Sequence, residues 1–325
     1  MNVLVSGSAG FIGWRVVEAL LQDGHHVVGV DDLNQAYDVR LKEWRLSQIL
    51  ERVGFRFYRL NVVDRAAVDV MFHEHAFDAV INLAARAGVR PSLEDPWTYY
   101  ETNVLGTLNL LASCRTHRVP KFVLASTSSL YAGGSLPFRE DQMTDRPLSP
   151  YAASKKAAEV LGYTYAHQYG LDVTVFRYFT VYGPAGRPDM SLFRFVQWIS
   201  EERPVVVYGD GNQVRDFTYV DDVARGTLAA LRPTGYEVIN LGSNQPVKLM
   251  DAMHFIEDLV GKKARVEHRP AHSADMRATH ADITKAKRLL NWEPKTKLEQ
   301  GLGALVAWYQ SNRAWAKSVA TTDPL

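Results

Sequence analysis

Three glycines spaced G-x-x-G-x-x-G, at Gly7, Gly10 and Gly13, constrain this chain more than any other feature. They join a short apolar run, Asn2–Ser6 (NVLVS), to FIGWRVVEALLQ, whose apolar residues recur at helical spacing. Between a strand and a helix, such glycines allow a tight turn and let the backbone approach a pyrophosphate. The helix start then offers that anion free N–H groups and a partial positive charge. The spacing is not the commoner G-x-G-x-x-G, and a plain strand–helix turn would also accept it. The acid that follows decides between the two. Asp31 ends the next strand-like run, His26–Val30, 18 residues after Gly13. A carboxylate there accepts hydrogen bonds from ribose hydroxyls and repels a 2′-phosphate. Asp32 follows it and no arginine does, which favours NAD over NADP.

Strand-like and helix-like runs alternate through the first half. Further strands are expected at 55–60, 78–83, 121–125 and 172–177, with long helices at Tyr99–His117 and Ala153–Tyr169. Such alternation implies a Rossmann-type, doubly wound parallel α/β sheet covered on both faces. After about residue 180 the pattern loosens. Strands at Val205–Tyr208 and Glu237–Leu241 and helices at 192–202, 222–231, 249–260 and 298–310 predict a smaller C-terminal α/β lobe. Residues 1–180 are thus expected to bind the cofactor, and 181–325 mainly the substrate, with some segments returning to the sheet. The tail after Arg313 is expected to fray.

Lys plus Arg number 37 and Asp plus Glu 36. That balance argues against a nucleic-acid or membrane-surface partner, which would need a dense basic face. The N-terminus carries no basic leader with an apolar core, and no 18-residue apolar stretch occurs, so a cytoplasmic protein is expected. The single cysteine, Cys114, reads as a small core residue, and the histidines show no metal spacing.

Tyr151 and Lys155 form Y-A-A-S-K, with the tyrosine at i and the lysine at i+4 on one helical face. A nearby ammonium favours the phenolate, so this phenol is suited to act as a base near neutral pH. Alone the pair is a weak signal, but it follows the fifth strand, whose end carries the hydroxyls of Thr127, Ser128 and Ser129. Ligands bind at that edge of such sheets.

Seven ordered segments together resemble the extended short-chain dehydrogenase/reductase family: GSAGFIG, Asp31, Leu83–Ala85, Thr102–Thr107, STSSLY, YAASK and Arg215–Val223. The resemblance implies tightly bound NAD and a nucleotide-diphosphate sugar substrate. Three segments look most like the UDP-glucuronate 4-epimerases of this family: Ala84–Ser92, Asp145–Lys156 and Arg177–Met190. Carried over by position, the cofactor would meet Gly7, Gly10, Phe11, Ile12, Gly13, Asp31, Asp32, Asn34, Asn61, Val62, Leu83, Ala84, Ala85, Asn103, Ser126, Tyr151, Lys155 and Tyr178. Substrate contacts would come from Arg90 near the sugar, Arg187 and Gln213 near the uridine, and Arg215 and Arg277 at the pyrophosphate. Ser128, Ser129 and Thr180 would hold the sugar carboxylate beside Thr127. The sequence departs from the family pattern at Asn61, usually Asp, and at Ala274, usually Gly.

The resemblance implies that Tyr151 takes the 4-OH proton while hydride passes to NAD, with Thr127 on the same oxygen and Lys155 on the nicotinamide ribose. The keto sugar then rotates and hydride returns to its other face. UDP-galactose 4-epimerases usually carry Asn where Thr180 stands, and the 4,6-dehydratases carry an acidic pair where Ser128 and Ser129 stand. A UDP-glucose/UDP-galactose 4-epimerase, a UDP-glucuronate decarboxylase and a catalytically silent nucleotide-binding protein stay open as alternatives. A homodimer through the helices at Tyr99–His117 and Ala153–Tyr169 is expected by resemblance.

Overall fold

The computed structural model describes residues 1–271 and 276–321. The strands are β1 (Asn2–Ser6), β2 (His26–Asp31), β3 (Phe55–Arg59), β4 (Ala79–Asn82), β5 (Lys121–Thr127), β6 (Asp172–Tyr178), β7 (Thr180–Tyr182), β8 (Pro204–Tyr208), β9 (Val214–Tyr219), β10 (Tyr236–Leu241), β11 (Pro246–Lys248) and β12 (Arg265–Arg269). The helices are α1 (Phe11–Gln22), α2 (Arg40–Ser47), α3 (Arg65–Glu74), α4 (Val89–Glu94), α5 (Pro96–Tyr100), α6 (Gly106–Thr116), α7 (Pro150–Tyr169), α8 (Ser191–Ser200), α9 (Val220–Ala229), α10 (Leu249–Val260), α11 (Thr284–Leu290), α12 (Leu298–Ser311) and α13 (Arg313–Ala316).

Seven strands form one parallel sheet in the order β3-β2-β1-β4-β5-β6-β10. Its central strands β1, β4 and β5 are buried on both faces because helices cover both. Val3 and Val5 enter the core on one side and Leu4 the core on the other. The chain winds outward from β1 to β3, then crosses to β4 and continues the opposite way. The C-terminal ends of β1 and β4 therefore flank a crevice, where open sheets of this type bind ligands. The strand at the far edge, β10, comes from the second half of the chain. The remaining strands make a small sheet, β11-β9-β7, and a parallel pair, β12-β8.

Two local readings are corrected. The helix expected over Tyr99–His117 is interrupted by a π-helical turn at Glu101–Leu105, preceded by α5 and followed by α6. Such insertions are rare and often mark functional positions. The tail after Arg313 does not fray within the described residues. It forms α13, and its carbonyls at Ala316 and Val319 accept hydrogen bonds from the Gln197 amide at 3.0 and 2.9 Å. Trp198 Nε1 donates to Thr321 Oγ1, and Arg40 to Ser318. A buried Gln197 supplied with backbone acceptors holds this segment; composition alone did not show that partner.

Candidate active site

The glycine turn is tight. Gly7 lies at φ +72, and its N–H and that of Ser8 both reach the Val30 carbonyl at the end of β2. A Cβ on Gly13 would sit 2.0 Å from the Gly7 carbonyl oxygen, and one on Gly7 would sit 2.8 Å from the Ala84 nitrogen. Leu83 and Ala84 therefore pass directly behind the turn, held by the Ser6 carbonyl and hydroxyl. Gly10 caps α1 without a side-chain bond, so Phe11, Ile12 and Gly13 present first-turn N–H groups to the crevice.

Asp31 is buried where β2 ends. Its carboxylate accepts from the N–H of Ala9 (3.2 Å) and Leu33 (2.9 Å). Burial pushes its pKa up, opposed by the ammonium of Lys42, whose Nζ lies 4.0 Å away. Lys42 also donates to Asn34, whose backbone and side chain bond Asp32. A cation thus stands beside this acid after all. It arrives from α2, whose L-K-x-x-R run carries no local signature of a site.

Asn61 is exposed and caps the turn after β3, accepting from Val63 N–H, while Val62 is buried beside Gly106. The Asn109 amide fixes this corner by donating to the Val62 and Val63 carbonyls. Asn103 sits in the π-helical turn with its side chain fully committed: it bonds the Arg86 backbone on both sides and donates to Ser154 Oγ on α7. It positions the 84–86 segment against the helix bearing Tyr151, with both amide N–H groups donated and Oδ1 accepting one bond. Ala85 lies in that held segment. Arg86 itself has a buried Nε with no hydrogen-bond partner.

At the end of β5, side chains alternate faces. Thr127 turns toward Tyr151 and lowers its pKa, while its hydroxyl donates to Ser129 Oγ and accepts from Ser129 N–H, both at 3.1 Å. Ser126 points the other way, into a buried cluster where it donates to Glu159, which also binds Arg177 bidentately at 2.9 and 2.8 Å. Only the backbone of Ser126 is left for a cofactor. Tyr178 likewise commits its hydroxyl to Thr227 of α9 and belongs to the core. Ser128 and Ser129 open the short 3₁₀ turn after β5.

Tyr151 and Lys155 start α7, capped by Ser149. The Lys155 ammonium is hydrogen-bonded to the strand backbone. Lys155 reaches the Ala125 carbonyl at 2.9 Å, and burial lowers its pKa to about 8 against the raising influence of Glu159. Burial raises the Tyr151 pKa, while the Thr127 hydrogen bond and the charge of Arg187 lower it. One helical turn carries Lys155 past Thr127 to the Ala125 carbonyl of β5, and the charge of Arg187 also acts on the phenol.

Arg187, expected near the uridine, carries a charge that reaches Tyr151 and lowers its pKa. It is bound by Asp189 and donates to the Ala87 carbonyl. Thr180, Phe11 and Gly186 line one small cavity with it, so the start of β7, the first turn of α1 and this arginine converge. Across the lobe, Arg90 lies 4.1 Å over the Tyr208 ring, and Gln213 donates to the Tyr208 carbonyl. Arg215 leads β9 away from this point, and the Arg277 carbonyl accepts from Val214 N–H. Ala274 lies outside the described residues. Cys114 is buried in the core, as expected. The histidine reading needs one correction: Asp69, His73 and His117 bring ligand-type atoms within 4.8 Å of one another where α3 meets the end of α6. The i,i+4 half of that group was visible in the sequence; His117 joins it only through packing.

These residues fit a dinucleotide: a glycine cradle with no room for a methyl group, an uncapped helix start, a strand-end carboxylate and an unpartnered guanidinium nitrogen. Among the described residues no helix is long and apolar enough to cross a membrane. The chain is 56% identical over 317 residues to the UDP-glucuronate 4-epimerase of Thermodesulfobacterium geofontis, covering 97% of this chain and 98% of that protein. It superposes on the Bacillus cereus UDP-glucuronic acid 4-epimerase, solved with UDP-glucuronic acid and NAD, with a TM-score of 0.91 at 35% identity, covering 96% of this chain and all of that one. For the Thermotoga maritima UDP-glucose 4-epimerase with UDP-glucose, the TM-score is 0.90 at 33% identity, with 96% and 100% covered. Residues 3–242 match the NAD-dependent epimerase/dehydratase family, and the chain belongs to that family.

Proposed function

We propose that this protein interconverts UDP-glucuronate and UDP-galacturonate by epimerisation at C4. The observation that carries the reading is the Thr127–Tyr151–Arg187 group, set beside Ser128, Ser129 and Thr180 at the strand ends next to the cofactor cradle. NAD, held by the glycine turn and Asp31, would supply hydride transfer at sugar C4. Tyr151 takes the 4-OH proton and gives it back, so no net acid or base is consumed. Thr127 bonds the same oxygen and fixes its distance from the phenol. Lys155, tied to the Ala125 carbonyl, keeps α7 in register with β5 and holds a positive charge below its pKa near 8.

A 4-keto uronic acid is a β-keto acid and loses CO₂ most easily when its carboxylate stands perpendicular to the carbonyl plane. The hydroxyls of Ser128, Ser129 and Thr180 hold it out of that orientation. On this reading residues 1–180 supply cofactor and catalytic groups, and 181–325 mainly the UDP contacts through Arg215, Arg277 and Gln213. The protein acts in the cytoplasm, where its cofactor and substrate classes occur, as a homodimer. Exposed Trp97, Tyr100, Leu105, Val160 and Tyr163 on α5–α7 and the intervening π turn supply the apolar face for that dimer, which light scattering on a sizing column tests.

The decisive experiment incubates purified protein with UDP-glucuronate and follows products by NMR. UDP-galacturonate supports the reading. A UDP-pentose points to decarboxylation, and turnover of UDP-glucose alone to a hexose epimerase.

A further inference from the structure

Arg45 of α2 is wholly buried, and its guanidinium is spread over three segments. Nε and Nη2 donate to the Ala185 carbonyl at 2.9 and 2.7 Å, and Nη2 also to Gly186 at 3.1 Å. Nη1 donates to the Tyr37 hydroxyl at 2.6 Å and to the Ala9 carbonyl, inside the glycine turn, at 3.4 Å. Among the described residues no carboxylate bonds it. A buried charge held only by neutral oxygens is costly and is kept where it does something that a neutral side chain cannot.

What it holds is a strained loop. Ala185 lies at φ +52, a conformation that a non-glycine residue keeps only where its surroundings over-determine it. Two residues on, Arg187 donates to the Ala87 carbonyl, which also accepts from the Tyr99 hydroxyl, each at 3.3 Å. The Tyr99 ring lies 6.1 Å from that of Tyr151, whose pKa the Arg187 charge lowers. Ala9 also donates its N–H to Asp31, so the same guanidinium touches the cofactor turn and the substrate-side loop.

We propose that Arg45 is a positioning residue that ties the cofactor turn to the 183–189 loop and thereby aims Arg187 at Tyr151. The role assigned to Tyr151 rests on the function proposed above. The groups facing the phenol are Thr127 from β5, Tyr99 from α5 with its ring centroid 6.1 Å away, and Arg187 from the loop; Asp189 lies beyond Arg187, and Arg86 acts on Tyr99. Of these, Arg187 is the one whose pose depends on the carbonyls that Arg45 grips.

The test replaces Tyr151 with 3-fluorotyrosine and follows its ¹⁹F shift against pH in the otherwise wild-type, Arg45→Met, Arg187→Met and doubly substituted proteins. Each single substitution is expected to raise the phenol's midpoint. The double substitution is expected to raise it no further than the larger single one, since both act through one contact. In unlabelled enzyme, kcat at neutral pH should fall roughly tenfold per unit of that rise and recover at higher pH. An unchanged midpoint in folded Arg45→Met, or additive shifts, overturns the proposal. If Arg45→Met does not fold, Tyr37→Phe, which deletes one of the five bonds, must give a smaller shift of the same sign; no shift there overturns it equally. The titration needs no turnover. A protein inert toward UDP-glucuronate that still shows the coupled shifts refutes the proposed function and leaves the role of Arg45 standing.

Discussion

The Asp31–Lys42 pair makes a quantitative prediction about cofactor choice. Their charged atoms are 4.0 Å apart in a buried setting. Two unit charges at that distance interact by about 4 kcal/mol at an effective dielectric near 20. A 2′-phosphate lodged against Asp31 would meet repulsion of that order from the carboxylate and attraction of the same order from Lys42. The two nearly cancel, so the wild-type preference for NAD rests largely on the hydrogen bonds that Asp31 makes to ribose hydroxyls. Asp31→Asn keeps one oxygen, enough for the shorter bond from the Leu33 N–H while the Ala9 N–H loses its acceptor, removes the repulsion and leaves Lys42 in place. Halving the Coulomb figure for solvent on the ribose side leaves about 2 kcal/mol, or roughly a 30-fold fall in the ratio of NADP to NAD dissociation constants. Calorimetric titration of cofactor-free protein with each dinucleotide measures the ratio directly. Adding Lys42→Met to Asp31→Asn should return most of the shift. A ratio unmoved by Asp31→Asn, or indifferent to Lys42 in that background, refutes the reasoning.

Other consequences can be checked alongside. Gly13→Ala forces a methyl group into the Gly7 carbonyl, so NAD binding should weaken by about 1–3 kcal/mol, seen as cofactor lost on desalting. Glu159→Leu strands the buried Arg177 guanidinium and should cost about 3–5 kcal/mol in urea unfolding, much of it regained when Arg177→Met is added. Lys155 titrates near 8 when folded and near its ordinary value of 10.5 when unfolded. Between those values the unfolded chain binds more protons, so its contribution to stability rises with pH, by up to about 3 kcal/mol. Denaturant melts of cofactor-free wild-type and Lys155→Met protein at pH 8, 9 and 10 should differ in slope with that sign.

Local spacing made much of the site legible. The glycine triad, the strand-end Asp31 and the Y-x-x-x-K pair are short-range patterns whose geometry follows from one strand, one turn and one helix. Two-residue alternation also separates Thr127 from Ser126. What stayed hidden depends on contacts between distant segments. Lys42 and Arg45 sit in a helix whose apolar pattern is faint, and nothing local says that they face Asp31 and Ala185. Arg187 follows a proline- and glycine-rich loop whose path is set by Arg45, so its place beside Tyr151 could not be read from position in a motif. The π-helical turn inserts one residue's worth of backbone without altering composition. The docked C-terminal segment depends on Gln197, over a hundred residues earlier.

The seventh strand of the main sheet has a consequence for biogenesis. During synthesis β6 emerges with its outer backbone edge bare, and its only partner on that side, β10, begins about 60 residues later. At ~5–20 residues per second the nascent chain carries an open parallel edge for roughly 3–12 s. An unpaired apolar edge is a template for pairing with other chains. Ribosome-bound chains halted before residue 236 should therefore recruit chaperones more strongly than chains halted once Leu241 has cleared the exit tunnel, and truncations ending between the two points should accumulate as aggregates.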